Sequence, residues 1–279
     1  MKRILLAIGA TNPDKNSLDF ACFLGRLTKS KVTGVFLENL IADEKPLLKG
    51  MQGSAYVDWG IDKNSDEYKA KMELIEKNIA LFGEGCINRE VNYQLHRTGG
   101  EPATLLIEET RFADILVVDA ETSFNKHFEG PPTEFVKDVL KKAECPVIIA
   151  PERFEAIVEI AFTYTNSASS VFAIKQFTYL FPELKDKRVR LIHVNKEGKW
   201  RVEEKDKLME WLQNYYTDIH FEALEGEPET SLFGTFLNSK NTFIVMGAYG
   251  RNSLSQFLKR SRADLLMNAI TQPIFIAHV

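Results

Sequence analysis

The chain carries one pattern twice, and this duplication constrains its fold more than any other feature. The first copy has Gly100-Glu101-Pro102, an amphipathic stretch, the run Ala113-Asp114-Ile115-Leu116-Val117-Val118, and a closing Cys145-Pro146-Val147-Ile148-Ile149-Ala150. The second has Gly226-Glu227-Pro228, a similar stretch, Thr242-Phe243-Ile244-Val245-Met246, and Gln272-Pro273-Ile274-Phe275-Ile276-Ala277. The triplets lie 126 residues apart and the closing prolines 127 apart. A period of that length is a duplicated domain rather than a solenoid unit. With 279 residues, each copy can bury its own core, giving expected domains of 1–150 and 151–279.

Periodicity within each copy alternates between strand and helix. The second copy predicts strands at Ile157–Tyr164, Arg188–Val194, Ile219–Leu224, Thr242–Met246 and Pro273–Ala277. Its helices fall at Ser169–Leu180, Lys205–Tyr216, Glu229–Asn238 and Ser261–Ala269. The first copy predicts strands at Arg3–Ile8, Val32–Leu37, Asn92–His96, Ile115–Val118 and Val147–Ala150. Helices lie between them at Ser17–Lys29, at a segment ending near Leu81, at Pro102–Thr110 and at Thr133–Lys142. Such alternation implies two doubly wound α/β domains with parallel sheets, whose ligands bind at the strands' carboxyl ends. The first copy holds an extra segment, Leu40 to Ala70, read as a loop whose aromatics pack on their own domain or, functionally, as a lid or partner surface. Residues 151–155 form a short linker.

Charge excludes some functions. The net charge of −4 lies wholly in residues 1–150, and 151–279 are neutral. No basic field for nucleic acid or for an anionic membrane surface exists. The apolar start, Met1 to Ile8, ends at Gly9 and is too short for a signal peptide core. No run approaches the length of a membrane-spanning helix. Cys22, Cys86 and Cys145 make no metal-binding spacing and predict reduced thiols in a cytoplasmic protein. The histidines 96, 127, 193, 220 and 278 are not spaced as metal ligands. No catalytic triad or carboxylate pair stands out.

One stretch of the second copy has the chemistry of an anion site. Met246-Gly247-Ala248-Tyr249-Gly250-Arg251 is followed by Lys259-Arg260-Ser261-Arg262-Ala263-Asp264. Glycines allow close backbone approach, and Ser261 with Asp264 forms a capping pattern opening a helix whose positive end favours phosphate. The first copy has Asp119-Ala120-Glu121-Thr122 instead.

With this spacing the chain resembles the universal stress protein family, whose nucleotide-binding members carry G-x-x-G, nine residues, then Gly and Ser or Thr. Gly247, Gly250 and Ser261 match, and Arg260 replaces the later glycine. The resemblance covers both copies. It implies a tandem protein with the adenine nucleotide alpha hydrolase-like fold, packed as an internal pseudo-dimer through antiparallel pairing of the closing strands. It further implies an adenine nucleotide (ATP or ADP) bound at the second domain by Gly247, Gly250, Ser261, Arg260, Arg262, Thr165 and Val194. Thr165 and Gly9 stand where the family has an adenosine-contacting Asp. The acidic first copy is expected to bind no nucleotide. The implied function is stress response or signalling through binding. The alternatives are a ligand-free interaction module using the 40–70 insertion, and a slow ATP hydrolase for which no metal or water-activating group is evident. A homodimer is compatible with either.

Overall fold

The protein is described by a computed structural model covering residues 1–40, 44–51, 54–125, 127–237, 239–247 and 271–277. Ten strands form one sheet in the order β10-β9-β8-β11-β12-β7-β6-β1-β2-β5. The first half supplies β1 (Arg3–Gly9), β2 (Lys31–Asn39), β5 (Tyr93–Gly100), β6 (Ile115–Val118) and β7 (Val147–Ile149). The second supplies β8 (Glu159–Tyr164), β9 (Arg188–Asn195), β10 (Ile219–Glu225), β11 (Thr242–Gly247) and β12 (Ile274–Ala277). All neighbours within a half run parallel. The halves join antiparallel, with Ile149 opposite Ile274, Ile148 opposite Phe275 and Val147 opposite Ile276. Each closing strand thereby covers an edge the other would leave unpaired. The expected doubly wound pseudo-dimer is the observed architecture.

Helices α1 (Lys15–Thr28), α2 (Asp66–Ile87), α3 (Pro102–Thr110) and α4 (Glu134–Lys142) flank the first half. Helices α5 (Ala168–Leu180), α6 (Val202–Leu212) and α7 (Pro228–Leu237) flank the second. Two apolar layers result. One holds Ile4, Leu6, Phe20, Phe82, Phe162, Phe177 and Phe243, the other Leu5, Leu37, Leu106, Val139, Ile192 and Phe236. Alternate residues of a strand face opposite layers, so the near-continuous apolar runs of β1, β6 and β11 are buried on both sides. The linker is anchored by Phe154, whose ring lies 5.0 Å from that of Phe20 and 4.4 Å from that of Phe23.

The repeated Gly-Glu-Pro triplet now has a cause. Glu101 caps α3, its carboxylate accepting from the N–H groups of Ala103 and Thr104 at 3.3 and 2.6 Å. Pro102 fills the first helical position, where a missing N–H costs nothing. Gly226 has φ of +126°, a region L-residues avoid.

Some expected boundaries are corrected. The segment after β2 is no plain loop: β3 (Lys45–Met51) and β4 (Ser54–Gly60) pair as an antiparallel hairpin. Its Val57 and Trp59 are 62% and 66% exposed, so these two do not pack on their own domain. Helix α2 runs to Ile87, past the expected end near Leu81. Gly83 and Gly85 let the helix approach Tyr93 and Leu18 closely. Strand β5 extends four residues beyond His96, and α6 starts and stops earlier than expected. The helix expected at 261–269 lies outside the described residues.

Candidate functional site

In each half the strand order reverses between the first strand and the fourth, which opens a crevice at their carboxyl ends. In the second half these strands are β8 and β11. Helix α5 begins there, after Thr165-Asn166-Ser167. Asn166 takes a left-handed conformation (φ 58°). Ser167 caps the helix, its Oγ accepting from the Ser170 N–H at 3.1 Å. The partially positive end of α5 is thus set at the reversal point.

Gly247 and Thr165 meet around Ser170. The Thr165 N–H donates to Ser170 Oγ at 3.4 Å, and Thr165 Oγ1 lies 3.0 Å from Ser167 Oγ. Gly247 presses on the same turn. A Cβ placed there would lie 2.5–2.6 Å from Ser169 C and O and Ser170 N. No side chain fits at that distance, so the first loop glycine has a steric requirement independent of any ligand. Val194, on the neighbouring strand, is buried in the apolar layer beside Leu224 and Met246. Its side chain is committed to the core. Gly250, Arg260, Ser261 and Arg262 lie outside the described residues, as do Arg251 and Lys259.

An aromatic cluster that periodicity did not reveal stands beside Thr165. The rings of Tyr164 and Trp200 stack at 5.2 Å and 22°, and Trp200 also meets His193 at 5.0 Å and Phe221 at 5.1 Å. The Trp200 indole N–H donates to the Glu222 carbonyl at 2.9 Å. His193 Nδ1 lies 3.0 Å from the Tyr164 carbonyl. The Tyr164 hydroxyl donates to Asn166 Oδ1 at 3.0 Å, and Asn166 Nδ2 to Glu204 at 2.8 Å. Burial first, and the Glu204 charge second, raise the Tyr164 hydroxyl pKa above its ordinary value. The signal was scattered over three strands and a loop, beyond the reach of local spacing.

The first half keeps the crevice and changes its chemistry. Register aligns Val118 with Ile149 and Met246 with Ile276, so Asp119 holds the place of Gly247. A cavity of about 270 Å³ there is lined by Asp14, Asn16, Asp119, Glu121, Pro131 and Glu152, among others. Asp14 caps α1, accepting from the Ser17 N–H at 2.6 Å. Burial pushes the Asp119 carboxyl up to about 6, and the charges of Asp14 and Glu121 add to this. Hydrogen bonds from the Glu121 and Ala120 N–H groups act in the opposite direction. A phosphate entering here would meet several carboxylates.

No protein-family model matches the sequence, and no curated protein matches it. Solved structures do. A universal stress protein from Archaeoglobus fulgidus DSM 4304 superposes with a TM-score of 0.68 at 15% identity, covering 99% of this chain and 98% of its own. The fold is that of a tandem universal stress protein. A functionally unknown protein from Pseudomonas aeruginosa PAO1 aligns with a TM-score of 0.54 at 14% identity, covering 100% of this chain and 92% of its own. Full-length coverage means that the joined pair of universal stress folds, not one half alone, is the shared unit. At such identity the likeness is one of backbone architecture. Among the described residues, no helix is long and apolar enough to cross a membrane and no group of three potential ligands could hold a metal.

Proposed function

We propose that this chain is a cytoplasmic universal stress-type protein that holds one adenine nucleotide in its second half and none in its first. Residues 1–150 are its degenerate domain and 151–279 its binding domain. Binding, rather than turnover, is its output. The observation that carries the reading is the contrast at one position of the crevice. Gly247 ends β11 against the positive end of α5, and the sequence after it holds a second glycine, Gly250, and the basic residues Arg251, Lys259, Arg260 and Arg262. At the same position the first half has the half-buried carboxyl of Asp119. An adenine nucleotide brings several negative charges, which favour the first environment and are repelled by the second.

The test is the nucleotide content of the protein itself. The full chain is incubated with ATP, desalted and denatured, and the supernatant is read by absorbance and mass spectrometry. About one adenine nucleotide per chain is expected. Protein that retains none, and shows no saturable binding at equilibrium, counts against the reading.

A second reading is favoured by the hairpin. Val57 and Trp59 project from the same side of β4 and are mostly exposed, as partner-binding side chains often are. In this reading the insertion recruits a protein partner. Replacing residues 44–61 with a short flexible linker would abolish partner capture and leave nucleotide content unchanged.

A further inference from the structure

Away from both crevices, α1 and α2 bring two thiols together. Cys22 and Cys86 are fully buried, and their sulfurs lie 3.9 Å apart although the residues are 64 apart in sequence. The helices are in tight contact at this level: a Cβ on Gly85 would lie 2.8 Å from Leu18 Cδ2. Charge at the site is fixed as well. Arg89 is held by Asp19 and donates to the Gly85 carbonyl at 2.8 Å, and Arg26 donates to the Arg89 carbonyl at 3.1 Å.

The two thiols are not equivalent. The hydrogen bond shared with Cys86 holds the Cys22 thiol below the ordinary range, with Arg89 and Arg26 helping against the cost of burial. The same bond, with burial, pushes Cys86 up. The shared contact thus makes Cys22 the more acidic thiol of the two. Cys145 is different. It sits in the other apolar layer, and burial pushes its thiol up to about 12.

A cavity of about 290 Å³ lies one helical turn from the pair, lined by Leu18, Asn78, Leu81, Phe82, Gly85 and Arg89, among others. Leu18 precedes Cys22 by one helical turn, and Phe82 precedes Cys86 by one turn. At about 30 Å³ per water-sized molecule, the space admits hydrogen peroxide easily.

We propose that Cys22 and Cys86 form a reversible disulfide with hydrogen peroxide as oxidant, stapling α1 to α2. Closing the sulfurs from 3.9 Å to about 2.05 Å needs only a small shift of two side chains and the helices that carry them. The Cys22 thiolate attacks one peroxide oxygen, the O–O bond breaks, and hydroxide leaves, picking up the proton Cys22 had released to become water. Cys22 is then a sulfenic acid. The Cys86 sulfur attacks it, the S–O bond breaks, and the departing hydroxide takes the Cys86 proton as a second water. Two thiols lose two electrons and two protons, and one peroxide is reduced to two waters.

The full chain is treated with hydrogen peroxide, alkylated, and digested without reduction. Mass spectrometry should find one cross-linked peptide pair, Cys22 with Cys86, restored to free thiols by dithiothreitol. Cys145 in the same molecules should be alkylated as in untreated protein, its oxidation at least about tenfold slower than that of Cys22. In Cys86→Ser, Cys22 should stop at a sulfenic acid trapped by dimedone. If that variant does not fold, the wild-type comparison of Cys22 with Cys145 decides alone. Recovery of Cys22 and Cys86 as unlinked thiols or separately over-oxidised acids would overturn the proposal, as would Cys145 reacting as fast as Cys22.

Discussion

In the first half, the strand ending at Val118 is followed by Asp119. In the second, the equivalent strand ends at Gly247, hard against the first turn of α5. The surrounding frame is the same: parallel strands in the same order, a helix starting at the reversal point, and a side-chain cap on that helix. What differs is the distance the chain keeps from the helix and the charge it brings. The second half lets backbone meet backbone, and the sequence that follows Gly247 is rich in basic residues. The first keeps a Cβ and a carboxyl at the same place, opening an acid-lined cavity. Duplication therefore preserved the packing and left the crevice free to change.

The sharpest way to break this comparison is to move the first half's residue into the second. Gly247→Asp should destabilise the protein by about 4 kcal/mol or more, because its Cβ would overlap the backbone of α5. Urea denaturation reads the effect. The reverse change, Asp119→Gly, should cost no more than about 1 kcal/mol. Next in size is Trp200→Ala. It removes the ring that Tyr164, His193 and Phe221 share and should cost about 3 kcal/mol, visible as a lower urea midpoint.

Asp119→Asn sharpens the comparison through pH. The Asp119 carboxyl rises to about 6 on folding, so the folded state holds its proton more tightly than the unfolded state. Stability associated with the protonated form is present at low pH and lost as pH climbs through the interval up to about 6. The Asn variant should match the wild type near pH 4 and exceed it by about 2 kcal/mol at pH 8. The smallest effect is expected from the hairpin. Replacing residues 44–61 should change global stability by less than about 1 kcal/mol, since the Lys45–Glu67 pair that ties it to α2 is exposed.

Near-continuous apolar runs make the strands legible in the sequence, whereas the pairing of Val147–Ile149 with Ile274–Ile276 follows from the family resemblance and not from the pattern itself. Buried parallel strands have no exposed face to blur their pattern. Helix α2 runs through Gly83 and Gly85 to Ile87, beyond the end near Leu81 that periodicity predicts. The reason for these glycines is tertiary, a helix packed close to Tyr93 and Leu18. The hairpin is not legible because its glycines, Gly50, Gly53 and Gly60, interrupt the apolar pattern that marks the other strands. Of the site, the acidic replacement in the first half was readable from Asp119 and Glu121 alone. The Trp200 cluster was not, since its members converge from β8, β9, β10 and the segment between β9 and α6. Nor could the sequence reveal that Gly247 is demanded by packing as well as suited to phosphate.

The claim that the crevices have diverged in function is tested most directly by calorimetric titration of ATP into the full chain. One site per chain is expected, lost in Gly250→Val and retained in Asp119→Asn. No saturable heat at millimolar nucleotide, two sites per chain, or a site that survives Gly250→Val would contradict it.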